Sequence, residues 1–222
     1  MSETLDELAR RRIVAVLRAA DASRFPATAA ALAAGGVTCI EVTMTSRGAL
    51  KSVATLREQG LTVGVGSVTT PAQAADACSA GASFVVTPGR IDGVVDRCAP
   101  HDVPVVMGSL TPSEMLAAVR AGAAAVKVFP AAAFGPGYLR QVRAPLPHLR
   151  LMPTGGITLA TAAGYLRAGA LAVGLGTPLV GDAETPLDEI TWRAEELVRS
   201  CTEPEQPALA GRPGRPEEGR LA

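Results

Sequence analysis

Aromatic side chains are almost absent from this chain: phenylalanine, tryptophan and tyrosine together make up 3% of its 222 residues. That excludes a surface of stacking rings of the kind that holds single-stranded nucleic acid. Charge of one sign is lacking as well. The 21 basic and 21 acidic residues cancel, which removes the broad positive field used by binders of nucleic acid or anionic membranes. Any anionic ligand must be held by local groups. No apolar run approaches the roughly 18 residues of a membrane span, and the start MSETLDELARRR is too acidic and polar for a secretory leader. The expectation is a soluble, cytoplasmic protein with no nucleic-acid and no membrane partner. The four cysteines, Cys39, Cys78, Cys98 and Cys201, lack the short paired spacing of zinc sites. They read as small buried hydrophobes with reduced thiols. Lysine is scarce too: 19 of the 21 basic residues are arginine, leaving only Lys51 and Lys127.

What is present is aliphatic. Hydrophobic residues make up 48% of the chain, which argues against disorder over most of its length. Eight apolar runs of strand length recur, starting at Ile13, Val37, Leu61, Ser83, Val103, Ala124, Leu149 and Leu171. Ala-rich stretches of helix length lie between them, such as FPATAAALAA, GALKSVATLRE, PAQAADACSA, PSEMLAAVRA and TLATAAGYLRA. Continuous rather than alternating apolar strands, with helices between, describe a parallel sheet buried on both faces. Thr70, Thr111 and Thr158 read as N-caps, the first two followed by proline. Gly35, Gly81, Gly122 and Gly169, each after an alanine, read as left-handed helix stops. Their spacings of 46, 41 and 47 residues each equal two strand-helix units. A repeat of about 23 residues closing after eight units predicts a single (β/α)8 TIM barrel, with a short N-terminal helix, over residues 1–201. A doubly wound open sheet is the lesser alternative. Residues 202–222 turn rich in Pro, Gly, Glu and Arg and read as a disordered tail.

In such a barrel, chemistry sits where strands end. Lys127, inside the apolar run AAVKVF, is the first candidate. Burial disfavours an ammonium ion, which is what an amine nucleophile attacking a ketone needs. The bland alternative is a snorkelling or ion-paired lysine. Glu41, flanked by Ile40 and Val42, faces the barrel interior if Cys39, Glu41 and Thr43 share one face. A buried carboxylate needs a partner or a task; general acid/base work beside the amine supplies both, a purely structural Glu41–Lys127 pair only the first. The seventh strand runs into Thr154-Gly155-Gly156 and the eighth into Gly176-Thr177, the two loops where these barrels hold phosphate. Arg18 ends the first strand as a candidate donor to phosphate or carboxylate. Ser67, Pro88 and Ser109 end the third, fourth and fifth. His101 and His148 fall in helix-to-strand connections at the opposite end.

These segments, IVAVLR, AAGGVTCIEVTMTS, VGVGSVTTPAQAADACSAGASFVVTPG, AGAAAVKVFPAAAFGPGYLR and LMPTGGI, resemble in order and spacing the class I aldolases that act on 2-keto-3-deoxy-6-phosphogluconate and its relatives. The resemblance implies that Lys127 is the Schiff-base lysine and Glu41 the proton shuttle. It places Arg18, Ser67, Pro88, Phe129, Thr154, Gly155, Gly156, Gly176 and Thr177 around the substrate. It also implies a homotrimer, no metal and no organic cofactor, with a phosphorylated keto acid and pyruvate as small-molecule partners. Two positions depart from the pattern. Thr45 stands where the gluconate-type enzymes usually carry arginine, leaving Arg47 or Arg18 alone to take that role, and Ser67 replaces threonine. Phosphogalactonate-type and 4-hydroxy-2-oxoglutarate activities therefore stay open. The rival classes are a phosphate-binding barrel isomerase or decarboxylase, and a non-catalytic sugar-phosphate binding protein.

Overall fold

In a computed structural model that describes residues 3–202, the eight apolar runs form eight strands, every neighbouring pair parallel. They are β1 (Ile13–Leu17), β2 (Cys39–Thr43), β3 (Thr62–Gly66), β4 (Phe84–Val86), β5 (Val105–Ser109), β6 (Ala125–Val128), β7 (Leu151–Pro153) and β8 (Val173–Leu175). Sequence neighbours pair along the sheet from β1 to β7, and β1 also pairs with β8. The ring is nearly closed, because β7 and β8 meet through the Thr154–Gly174 bridge and a Leu171 N–H to Leu151 carbonyl bond of 2.8 Å. This is the (β/α)8 barrel.

Around it run α1 (Glu3–Arg11), α2 (Phe25–Ala34), α3 (Ala49–Glu58), α4 (Pro71–Ser79), α5 (Val94–Cys98), α6 (Pro112–Arg120), α7 (Gly135–Arg143), α8 (Leu159–Arg167), α9 (Thr177–Val180) and α10 (Leu187–Thr202). Three of the helix starts are capped as the sequence suggests. Thr70 accepts from the Gln73 N–H, while Thr111 with Glu114 and Thr158 with Thr161 form reciprocal capping boxes. Of the four glycine stops, Gly81, Gly122 and Gly169 are left-handed, with φ of 86°, 88° and 91°. Gly35 is not: its φ is −83°, and Gly36 takes the left-handed turn at 89°. Gly35 serves close packing instead, because a Cβ there would collide with Ala194 and the Thr191 carbonyl of α10. Helix α10 also reaches Thr202, one residue into the expected tail, where the Thr202 hydroxyl donates to the carbonyls of Val198 and Arg199. The rest of that tail lies outside the described residues.

Two apolar layers hold the barrel. The larger lies between strands and helices. The smaller fills the interior with Val14, Cys39, Phe84, Val86, Val106, Ala125, Met152 and Ala172, and Leu5 and Leu8 of α1 plug its N-terminal end. The opposite end, where strands run into βα loops, is left for polar groups. Among the described residues no helix is long and apolar enough to cross a membrane.

Candidate active site

Alternation along β2 turns Cys39, Glu41 and Thr43 inward, and alternation along β6 does the same for Ala125 and Lys127. The two charged residues meet above the apolar plug: Lys127 Nζ lies 3.4 Å from Glu41 Oε1. Glu41 is fully buried and Lys127 is 5% exposed. Oxygen Oε2 of Glu41 is buried with no hydrogen-bond partner, so one oxygen of the carboxylate is uncommitted beside the amine. Space for the carboxylate comes from β3, since a side chain at Gly66 would overlap it. Lys127 Nζ also stands 5.5 Å from the centre of the Phe129 ring.

A cavity of about 270 Å³ opens beside Lys127, with Glu41 fully buried behind the lysine rather than in the cavity wall. Arg18, Lys127, Phe129, Thr154, Gly155, Gly156, Gly176 and Thr177 all line it. The glycines are specifically required here. Gly155 and Gly156 have φ of 93° and 72°, and a side chain at Gly155 would run into the Phe129 ring. The β7 loop is laced to the β6 loop by the Ala131 and Ala132 N–H groups, which donate to Thr154 and Gly155 carbonyls at 2.9 and 3.0 Å. Backbone N–H groups at such glycine turns and at the start of a helix are suited to an anion.

The remaining sequence candidates do not line the cavity, and of them Ser67 touches a residue that does. Ser67 follows β3 with φ of 59°, an uncommon conformation for a side-chain-bearing residue. Its hydroxyl accepts from Arg18 Nη2 at 3.3 Å. Pro88 follows β4, and its backbone occupies the space above Gly108, the register partner of Lys127. Thr87 fixes that inward turn by donating to the Gly89 carbonyl at 2.7 Å and accepting from the Gly108 N–H at 3.0 Å. Ser109 is turned away and donates to the Gly108 carbonyl at 2.7 Å. Arg47 is not brought to the cavity: it pairs with Asp21 at 3.3 Å on the surface, with 82% of its side chain exposed. Its backbone is pinned there by bonds to Ala20 and Ala22. Arg18 is thus the guanidinium at the cavity. Both histidines are exposed at the other end.

Sequence reasoning missed Val16, Ile157, Pro178 and Val180 as wall residues. Val16 could have been found, since it shares the inward face of β1 with Val14. It missed Thr43 and Ser46 as well, both buried at the end of β2. Among the described residues no group of three or more His, Cys, Asp or Glu side chains gathers to offer a metal its ligands.

The KDPG and KHG aldolase family matches residues 5–192; the abbreviations stand for 2-keto-3-deoxy-6-phosphogluconate and 2-keto-4-hydroxyglutarate, the latter also called 4-hydroxy-2-oxoglutarate. A 2-dehydro-3-deoxy-phosphogluconate aldolase of Pseudomonas aeruginosa is 40% identical over 139 residues, a match that spans 61% of this chain and 63% of that protein. The crystal structure of a 4-hydroxy-2-oxoglutarate/2-dehydro-3-deoxyphosphogluconate aldolase superimposes with a TM-score of 0.82 at 31% identity, covering 91% of this chain and 100% of the other. A Legionella pneumophila KDPG aldolase, solved with pyruvate captured as a covalent carbinolamine, gives a TM-score of 0.76 at 26% identity over 90% of this chain and 97% of that one. With its barrel, its paired Lys127 and Glu41, and a family match over nearly the whole described length, the chain belongs to the KDPG and KHG aldolase family.

Proposed function

We propose that this protein is a class I aldolase that cleaves a 2-keto-3-deoxy-6-phospho sugar acid reversibly into pyruvate and glyceraldehyde 3-phosphate. The observation that carries the reading is the buried Lys127–Glu41 pair, 3.4 Å apart, whose lysine lines a cavity walled by two glycine loops. Lys127 Nζ attacks C2 of the keto acid. Loss of water, assisted by Glu41, leaves an iminium ion that serves as an electron sink. Glu41 removes the C4 hydroxyl proton, the C3–C4 bond breaks, and its electron pair moves into the iminium to form an enamine. The released aldehyde is glyceraldehyde 3-phosphate. Protonation of the enamine at C3 and hydrolysis return pyruvate and free Lys127. The phosphate rests against Gly155, Gly156, Gly176 and Thr177, and Arg18 holds an anionic group of the substrate.

Thr45 keeps the C4 epimer open. The absent arginine and the stretch AFGPGYLR look more like the phosphogalactonate-type relatives, and cleavage of each epimer, and of 4-hydroxy-2-oxoglutarate, is to be assayed side by side. A homotrimer in the cytoplasm is the expected setting, checked by light scattering and by fractionation. The test of the mechanism is borohydride reduction with pyruvate, followed by peptide mapping. Apart from the N-terminal amine only Lys51 and Lys127 can react. A pyruvyl adduct on Lys127 is expected; its absence sinks the class I reading and returns the isomerase and binding-protein alternatives.

A further inference from the structure

The backbone on both sides of Arg18 is held by hydroxyl groups from the end of β2. Thr43 Oγ1 donates to the carbonyl of Leu17, the residue before, at 3.1 Å. The N–H of Ala19, the residue after, donates to Ser46 Oγ at 3.1 Å. The two hydroxyls are 3.3 Å from each other, and Thr45 donates to Thr43 Oγ1 at 3.2 Å. Thr43 is fully buried and Ser46 is 3% exposed. Buried backbone groups need partners, and at the point where β1 leaves the sheet these hydroxyls replace the ladder. No step of the cleavage uses either residue.

The direction of Arg18 gives the arrangement a purpose. Its guanidinium crosses the end of β2, the strand that carries Glu41, to reach Ser67 at the end of β3. The glycine loops follow β7 and β8, on the other side of β1. Arg18 therefore lines one cavity with Lys127 and both glycine loops, while its guanidinium is drawn across that cavity toward the strand that carries Glu41.

We propose that Thr43 and Ser46 are positioning residues that clamp the Arg18 backbone so that its guanidinium meets the carboxylate of the keto acid bound at Lys127. This rests on the aldolase reading, and the same reaction tests both separately. Borohydride trapping is measured against pyruvate concentration, since pyruvate carries the carboxylate but no phosphate. Arg18→Ala is expected to raise the half-saturating pyruvate concentration, and Ser46→Ala to raise it about fivefold, as befits one lost hydrogen bond. In the Arg18→Ala background, Ser46→Ala is expected to add nothing, because coupled residues do not add. Thr43→Val is expected to behave like Ser46→Ala, and Thr43→Ser to restore the parent value.

If Arg18→Ala or Ser46→Ala leaves saturation unchanged while the adduct still forms, the clamp is overturned and the aldolase reading stands. An equal effect of Ser46→Ala in both backgrounds overturns it too, since that is what a merely structural hydroxyl does. No adduct in the parent enzyme overturns the aldolase reading and the clamp with it.

Discussion

The carboxylate of Glu41 occupies the space that a side chain at Gly66 would need. The two residues are on neighbouring strands, β2 and β3, and the missing Cβ on one is what lets the other stand upright beside Lys127. Gly66→Ala is therefore expected to displace Glu41 and lower kcat by about 10²-fold, the scale on which small misplacements act. A coupled assay of pyruvate release checks it. A Gly66→Ala enzyme with parental kcat would show that the placement of Glu41 does not matter.

Lys127→Arg places a guanidinium beside Glu41 that cannot form an iminium, because it stays protonated. Turnover and the borohydride adduct are both expected to disappear while the circular dichroism spectrum is kept. Measurable turnover in this variant would contradict the mechanism.

Glu41→Gln keeps the shape of the side chain and removes its ability to take a proton. The expected loss in kcat is about 10²–10⁴-fold, with some pyruvyl adduct still forming on Lys127. Single-turnover trapping separates the two effects, and an unchanged cleavage rate would remove Glu41 from the reaction.

Burial pushes the thiols of Cys39 and Cys98 up from 9.0 to about 12. Unfolded, these thiols ionise near 9.0; folded, they hold their protons to about 12. Between those limits the unfolded state binds fewer protons, so stability falls as pH rises through that window and is untouched below it. Urea midpoints are expected to drop between pH 8 and pH 11, and to drop less in a Cys39→Ala/Cys98→Ala variant. Folded protein should resist iodoacetamide at pH 8 and become reactive in urea.

Gly137 lies in α7, and a Cβ added there would meet only the Arg140 guanidinium at 3.8 Å. Gly137→Ala is expected to stabilise the protein by about 0.5–1 kcal/mol through helix propensity. Thermal melting measures it, and a lowered midpoint would show that α7 needs glycine for another reason.

The strands were legible because each is buried on both faces and so reads as a continuous apolar run, as in IVAVL of β1. The helices α4, α6 and α8 announced themselves through Thr70, Thr111 and Thr158. Helix α7 did not: Gly135 and Gly137 flank Pro136 in its first turn, and those two glycines are poor helix formers whose cost is met by packing of Leu139 and Val142. Lys127 and Glu41 stood out because a charge inside an apolar strand costs too much desolvation to sit there without a partner or a task.

By itself, the sequence determined the barrel, its repeat, and the two charged residues at its centre, since hydrophobic periodicity and strand alternation are local properties of the chain. Only the tertiary structure decided that Arg18 rather than Arg47 faces the cavity, because Arg47 is captured by Asp21 from the neighbouring loop. It also decided that Gly35 is required for the contact with α10 rather than for a turn. That Thr43 and Ser46 hold the end of β1 was likewise invisible, for hydrogen bonds between residues 26 or more positions apart leave no mark on either stretch read alone.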